Sequence, residues 1–222
     1  MTEAALFPIA LSLRVAAIAL LIVGPFGVLL AWVQARRRYA LRTLVDAAVL
    51  LPLVLPPSVV GFLLVLLFGR RGVLGRALDA IGMRLVFSPA AAVLASAVVA
   101  LPLLVKTLQP AIEAVPVELE AVGRSLGLGP LALFFRVTLP ACWRGLLAGM
   151  VLGFARAVGE FGATLMFAGN IPGRTNTMPL EIFAAYQAGD DARAALYVIV
   201  LSALSLTVVI VSALLSPRDR PA

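Results

Sequence analysis

Apolar residues in this chain come in long runs separated by short polar stretches. That is the pattern of helices that cross a bilayer, not of an amphipathic soluble fold. The runs cover about 9–32, 44–68, 90–108, 146–168 and 194–215. A helix needs roughly 20 apolar residues to span hydrocarbon, and each run comes close to or exceeds that. Lipid admits only helices and closed barrels, and a barrel would show short alternating strands. The pattern predicts an all-α polytopic protein with about five transmembrane helices. It forms a single transmembrane domain over residues 1–222, without internal repeats.

Three features interrupt the apolar runs. The second run contains LPLVLPPSVVG, in which Pro52, Pro56 and Pro57 lack a backbone donor, so the helix must kink or break. Broken backbone at membrane depth is tolerated only when buried in protein or lining a wet cavity. Pro56, Pro57 and Ser58 are therefore candidates for a permeation path, with a packing kink or a break near the interface as the alternative. The fourth run carries Gly145, Gly149 and Gly153 at four-residue spacing, a ridge for close helix contact. It also carries Arg156 and Glu160 at i and i+4, and an ionisable group inside a span is a functional candidate by default.

Between the runs, residues 70–87 form an arginine-bearing loop with room for a short surface helix over 74–83. A second polar stretch follows residue 169; its GNIPG core is turn chemistry, and IFAAYQ suits a re-entrant or interfacial helix.

Composition sharpens the class. The chain is 62% hydrophobic and 13% charged, with mean hydropathy +1.07. Soluble domains are about 45–50% apolar and about 25% charged. There is no histidine, one cysteine (Cys142) and one lysine (Lys106). A histidine-based metal site, a catalytic triad and an internal disulfide are thereby excluded. Val105 precedes Lys106, so the Gly-Lys-Ser/Thr of a nucleotide-binding P-loop is missing. The chain is read as no enzyme, binding no metal and no cofactor of its own.

The net charge of +7 would suggest nucleic acid in a soluble protein; here it reads as charge flanking a membrane. Five crossings put the amino terminus outside and the carboxyl terminus in the cytoplasm. Arg36, Arg37, Arg38, Arg42, Lys106, Arg124, Arg136, Arg144, Arg218 and Arg220 then face inward, outnumbering Arg70, Arg71, Arg76, Arg84, Arg174 and Arg193. A secretory signal is not expected at the amino end, since the first run is too long and no small-residue cleavage site follows.

The longest interval between runs, about 113–140, is the most informative. Residues 117–126 read as a short helix after Pro116, with Leu119, Val122 and Leu126 on one stripe and Glu120 and Arg124 at i and i+4. Gly127 suits the left-handed position that ends a helix. Gly129-Pro130 turns the chain, and a second short helix over 131–139 stops at Pro140. Such a knob fits either a groove on a partner or the membrane surface, and these residues alone leave both open.

Gly127, then Val137 and Leu139-Pro140 at their spacing, resemble the cytoplasmic EAA loop of binding-protein-dependent ABC importer permeases. The Glu-Ala-Ala itself is degenerate: Ala121, Val122 and Gly123 occupy its positions, with the acid one place early at Glu120. The runs LPLVLPPSVVGFLL, FGRRGVLG and GFARAVGEFGATLMFAGNIPGRTNT extend the resemblance over nearly the whole chain, to molybdate-type permeases, with sulfate and thiosulfate permeases as close cousins.

The resemblance implies a permease subunit of the bacterial inner membrane, moving molybdate or tungstate, with sulfate or thiosulfate as the runner-up. It implies two copies of the chain in lipid, two copies of a separate ABC ATPase carrying ATP-Mg, and a periplasmic oxyanion-binding protein. The ATPase-coupling loop would comprise Leu119, Glu120, Ala121, Val122, Gly123, Arg124, Ser125, Leu126, Gly127, Leu139 and Pro140. The path or gate would comprise Pro56, Pro57, Ser58, Glu160, Phe161, Gly162 and Thr164, with Asn170 and Thr175 as further uncharged donors. A carboxylate is a poor ligand for a dianion, so gating or helix locking is the favoured role of Glu160. A stand-alone secondary transporter would need an ion relay in the spans, for which Arg156 and Glu160 are thin material. An intramembrane enzyme has less support still.

Overall fold

The computed structural model describes residues 3–215; the charged tail with Arg218 and Arg220 lies outside them. Among the described residues the chain is helical, without strands. In order, the helices are α1 (Glu3–Arg36), α2 (Arg42–Val54), α3 (Pro57–Phe68), α4 (Val73–Ala80), α5 (Pro89–Glu113) and α6 (Val117–Ser125). They continue with α7 (Pro130–Leu133), α8 (Leu139–Ala141), α9 (Trp143–Val158), α10 (Gly162–Ala168), α11 (Met178–Gln187) and α12 (Asp191–Leu215).

Among the described residues three helices are long and apolar enough to cross a bilayer alone: Ala5–Arg36, Pro89–Glu113 and Asp191–Leu214. Two bent pairs supply further crossings if each pair is one span. These are Arg42–Val54 with Pro57–Phe68, bent by 113°, and Pro130–Ala141 with Trp143–Val158, bent by 80°.

At the centre stands α5. Two-thirds of its most apolar window (67%) is buried, against 11% for α12. Its start is fixed by Pro89 in the first turn and by Ser88, whose hydroxyl accepts from Ala91 N at 3.2 Å. Small residues, Ala91, Ala92, Ala95, Ser96 and Ala100, fill its buried face and let α1, α9 and α10 approach closely. The glycine ridge of α9 meets this post. Side chains added at Gly145, Gly149 and Gly153 would meet Ala111, Leu104 and Leu20.

The expected run over 44–68 is two helices, and the break falls at Leu55-Pro56. Leu55 and Pro56 each precede a proline, which pushes both into extended backbone (ψ 145° and 135°), and Pro57 then opens α3. The expected run over 146–168 is also divided: α9 ends at Val158, and α10 begins only at Gly162. The central run reaches Glu113, past the expected 108.

The second knob helix does not stop at Pro140. Residues Phe134–Thr138 widen into a π-helical turn, closed by Leu139 N to Phe134 O, and the chain stays helical to Ala141. The wider turn gives the ring of Pro140 room that a regular turn would deny it. The expected surface helix over 74–83 is the shorter α4, and IFAAYQ lies within α11.

Where α3 crosses α10, Gly61 has no space for a side chain: a Cβ there would lie 2.8 Å from both Ala163 Cα and Ala163 O. Backbone cannot yield as a flexible side chain can. Gly61→Ala is expected to cost about 1–3 kcal/mol by overpacking. Gly129→Ala, with nothing within 4 Å, should stay within about 0.5 kcal/mol. Denaturant titration of the two variants in micelles checks the difference.

Candidate functional site: the coupling loop and the helix-break junction

Two loci gather the candidate residues, one beside the end of α1 and one where the broken spans meet. At the first, α6 is amphipathic in an unusual sense. Its outer side exposes Leu119, Val122 and Leu126, the last at 77%. Its inner side buries Glu120 and Gly123 against the rest of the chain. Gly123 sits on Leu133, whose Cδ1 would be 2.5 Å from an added Cβ. Gly127 closes the helix at φ +82°, with Gly127 N bonded to Arg124 O and Leu128 N to Gly123 O, the return expected of a left-handed cap. Ala121 is exposed, and Ser125 spends its hydroxyl on Val122 O. Leu139 and Pro140 lie past the π-helical turn, at the foot of α9.

Glu120 is the residue whose surroundings the sequence did not reveal. Its expected partner Arg124 stands off at 3.9 Å. Its closer partner is Arg36, whose Nε lies 3.0 Å from Oε1, an ion pair off the hydrogen-bond axis. Thr138 Oγ1 donates to the same oxygen at 2.9 Å, and Arg36 Nη2 donates to Val115 O at 2.8 Å. Beside them, Trp32 of α1 stacks at a tilt on Phe134, with centroids 5.3 Å apart. In the sequence Arg36 is simply one of a cluster of membrane-flanking arginines. Nothing local marks it as the partner of a residue in a distant loop.

At the second locus the two breaks touch. A Cβ on Gly162 would fall 2.9 Å from Pro57 Cβ and 3.2 Å from Ser58 N, so the starts of α3 and α10 abut. Glu160 spans the gap between α9 and α10. Oε2 pairs with Arg156 Nη1 at 2.7 Å, and Oε1 accepts from Ala163 N at 2.8 Å. Its side chain is buried, so both oxygens are engaged within the protein. Phe161 packs on Phe183 of α11, with centroids 5.3 Å apart. Thr164 is buried, and its hydroxyl has no protein partner. Pro56, Pro57 and Ser58 are exposed on the surface of the chain.

Thr175 stands apart from this junction. Its hydroxyl donates to Gly169 O and accepts from Ile171 N, both at 2.9 Å, and is used up in shaping its own loop. Asn170 donates to Leu180 O at 3.3 Å. The structure thus brings Pro57, Ser58, Glu160, Gly162 and their neighbours together, and leaves Thr175 to the turn.

A bundle with two broken spans in contact and a short helix presented at one end is the architecture of a membrane permease. The chain belongs to the family described as binding-protein-dependent transport system inner membrane component, whose model matches residues 24–220. It is accordingly a multi-pass inner-membrane permease component, not itself a catalyst.

It is 43% identical over 212 residues to the molybdenum transport system permease protein ModB of Escherichia coli strain K12, covering 95% of this chain and 93% of that one. The ModB of Haemophilus influenzae is 42% identical over 201 residues, 88% of each chain. A probable sulfate transport system permease protein, cysT of Nephroselmis olivacea, is 37% identical over 90% of this chain and 71% of its own length. Among solved structures, an inward-facing MetNI methionine ABC transporter matches with TM-score 0.66 at 18% identity, covering 98% of this chain and 100% of that one. That likeness speaks for the fold alone.

The Arg156–Glu160 pair gives a test of helix locking. Removing one partner of a buried pair leaves an uncompensated charge, typically about 3–5 kcal/mol. Arg156→Met should therefore destabilise more than Arg156→Met combined with Glu160→Gln, which removes the charge as well. A double-mutant cycle by denaturant unfolding in micelles reads the difference.

Proposed function

We propose that this chain is the transmembrane subunit of an ATP-driven importer for molybdate or tungstate. The observation that carries the substrate is the 43% identity to a molybdenum permease over 95% of the chain. Supporting the drive mechanism is the outer stripe of α6, three exposed aliphatic side chains on a helix whose other side is fastened down. A stripe of this kind fits a groove on a separate ATPase that carries ATP-Mg, while this chain holds no nucleotide and no cofactor. Two ATPase copies, a periplasmic oxyanion-binding protein and a second copy of this chain complete the assembly. The broad apolar exposure of α2, α3 and α12 fits lipid and a second protomer.

The direction of the helices supports the expected orientation. Arg36 at the end of α1 touches Glu120 and Val115, so α1 ends on the loop side, which is the cytoplasmic side in this reading. Tyr197 Oη donates to Ala5 O at 3.0 Å, which sets the start of α12 beside the start of α1. Helix α12 then runs toward the loop as well.

The path would run past the junction of α3 and α10. A transported anion must be held weakly enough to leave. Uncharged groups such as Ser58 N–H and the Thr164 hydroxyl suit that requirement, and the spent carboxylate of Glu160 does not repel the anion as a free one would. When the ATPase dimer closes, the α6 knobs of two protomers move together and the cavity turns outward; hydrolysis resets it.

Two results are expected. In proteoliposomes with the cognate ATPase and binding protein, molybdate and tungstate should stimulate ATP hydrolysis and sulfate should not. Stimulation by sulfate alone would move the substrate to that of the cysT-like relatives, and uptake without any ATPase would overturn the importer reading. Separately, Val122→Asp places a charge in the apolar stripe. It should abolish ATPase co-purification while the permease keeps its unfolding midpoint, because the side chain is 57% exposed.

A further inference from the structure

Resting on the permease reading above, we infer that Glu120 and Arg36 form a coupling clamp: the carboxylate is a positioning group that ties α6 to α1, not a contact to the ATPase. The loop residues divide cleanly between two tasks. Leu119, Val122 and Leu126 point away from the chain and are free to meet a partner. Glu120 and Gly123 point inward, and the Glu120 side chain is only 7% exposed. A group so covered cannot reach across an interface. What it reaches instead is the last turn of α1, through Arg36, and the π-helical turn before α9, through Thr138.

Apolar packing alone does not hold α6 against α1. A cavity of about 630 Å³ opens between them, lined by Trp32, Arg36, Glu120, Arg124, Leu128 and Leu133 among others. Across that gap the ion pair is the direct link. Arg36 has a second grip on the loop, at Val115 O, ahead of α6. Displacement of α6 by a partner is therefore delivered to two membrane helices at once, to α1 by the ion pair and to α9 by the Thr138 bond. Without the clamp, α6 could still bind its partner through the outer stripe yet swing into the cavity without moving the bundle.

The test separates binding from transmission. Glu120→Gln keeps an oxygen for Thr138 but removes the attraction to Arg36. In proteoliposomes matched for ATPase content, the ratio of hydrolysis with and without molybdate-loaded binding protein should fall on the order of tenfold, within the usual range of coupling between sites. Molybdate moved per ATP should fall with it. Reversing the pair (R36E with E120R) should recover coupling that R36E alone lacks.

An arm independent of substrate uses spin labels at Arg37→Cys and Ser125→Cys in a Cys142→Ser background. The distance distribution should be narrow with Glu120 and broad with Glu120→Gln. A wild-type stimulation ratio in Glu120→Gln, a reversed pair no better than R36E, or equal label distributions would each overturn the clamp. Failure of the wild-type complex to respond to any oxyanion would instead count against the permease reading, and the label distributions would still decide the clamp.

Discussion

Lipid offers no hydrogen bonds, and that constraint accounts for most of what is irregular in this molecule. A helix may cross hydrocarbon because its backbone groups are satisfied within itself; wherever it breaks, the protein must supply what the helix no longer does. Both breaks obey this rule. The prolines at 56 and 57 remove donors that would otherwise be orphaned, so the first break exposes fewer unmet groups than its length suggests. At the second, Glu160 supplies the acceptor for Ala163 N that the missing turn would have provided. The breaks abut, with Gly162 on Pro57 and Gly61 on Ala163, and the contact buries the start of α10 at Ala163 and Thr164.

Removal from water dictates how the buried carboxylates are handled, in the spans and in the loop alike. Glu120, Glu160 and Glu181 are all buried, and each has an arginine beside it: Arg36, Arg156 and Arg193. Each also accepts at least one hydrogen bond, from Thr138, Ala163 N and Asn176 respectively. Pairing alone offsets little of the several kcal/mol of desolvation per ion; the added hydrogen bonds are what make such a site tolerable. These sites all lie at helix ends, where one element must be held to another. A buried pair contributes little net stability against an apolar replacement, but it fixes geometry, and fixed helix ends are what a moving bundle needs.

How much of this was legible in the sequence follows from the range of each interaction. Helical class, the proline break and the glycine cap at 127 were readable because hydropathy, missing donors and left-handed backbone are local properties. The Arg156–Glu160 pair was readable for the same reason, being one helical turn apart. The partner of Glu120 was not. The sequence offered Arg124 at the right spacing, and the fold chose Arg36, brought in by the packing of α1 on α5. The widened turn before Pro140 also escaped notice, because a proline reads as a stop unless the preceding turn can open. Thr175 looked like a free donor only because its acceptor, Gly169 O, lies across a turn whose shape is set by tertiary context.

The two loci are connected by one element. Helix α9 begins just past the π-helical turn that Glu120 grips and ends next to Glu160, which grips the start of α10. At 1.5 Å per residue, its 16 residues span about 24 Å, most of the hydrocarbon thickness. Its glycine ridge lies close against α5, where Ala111 and Leu104 fill the space side chains would take, and against Leu20 of α1. A buried carboxylate stands near each end: Glu120 holds the π-helical turn, which an 80° bend after Ala141 sets off from α9, and Glu160 pairs with Arg156 in the last turn of α9. Charge serves the same end elsewhere in the bundle: Lys106 of α5 pairs with Asp46 of α2 at 2.6 Å, tying those two helices together as Arg156 and Glu160 tie α9 to α10.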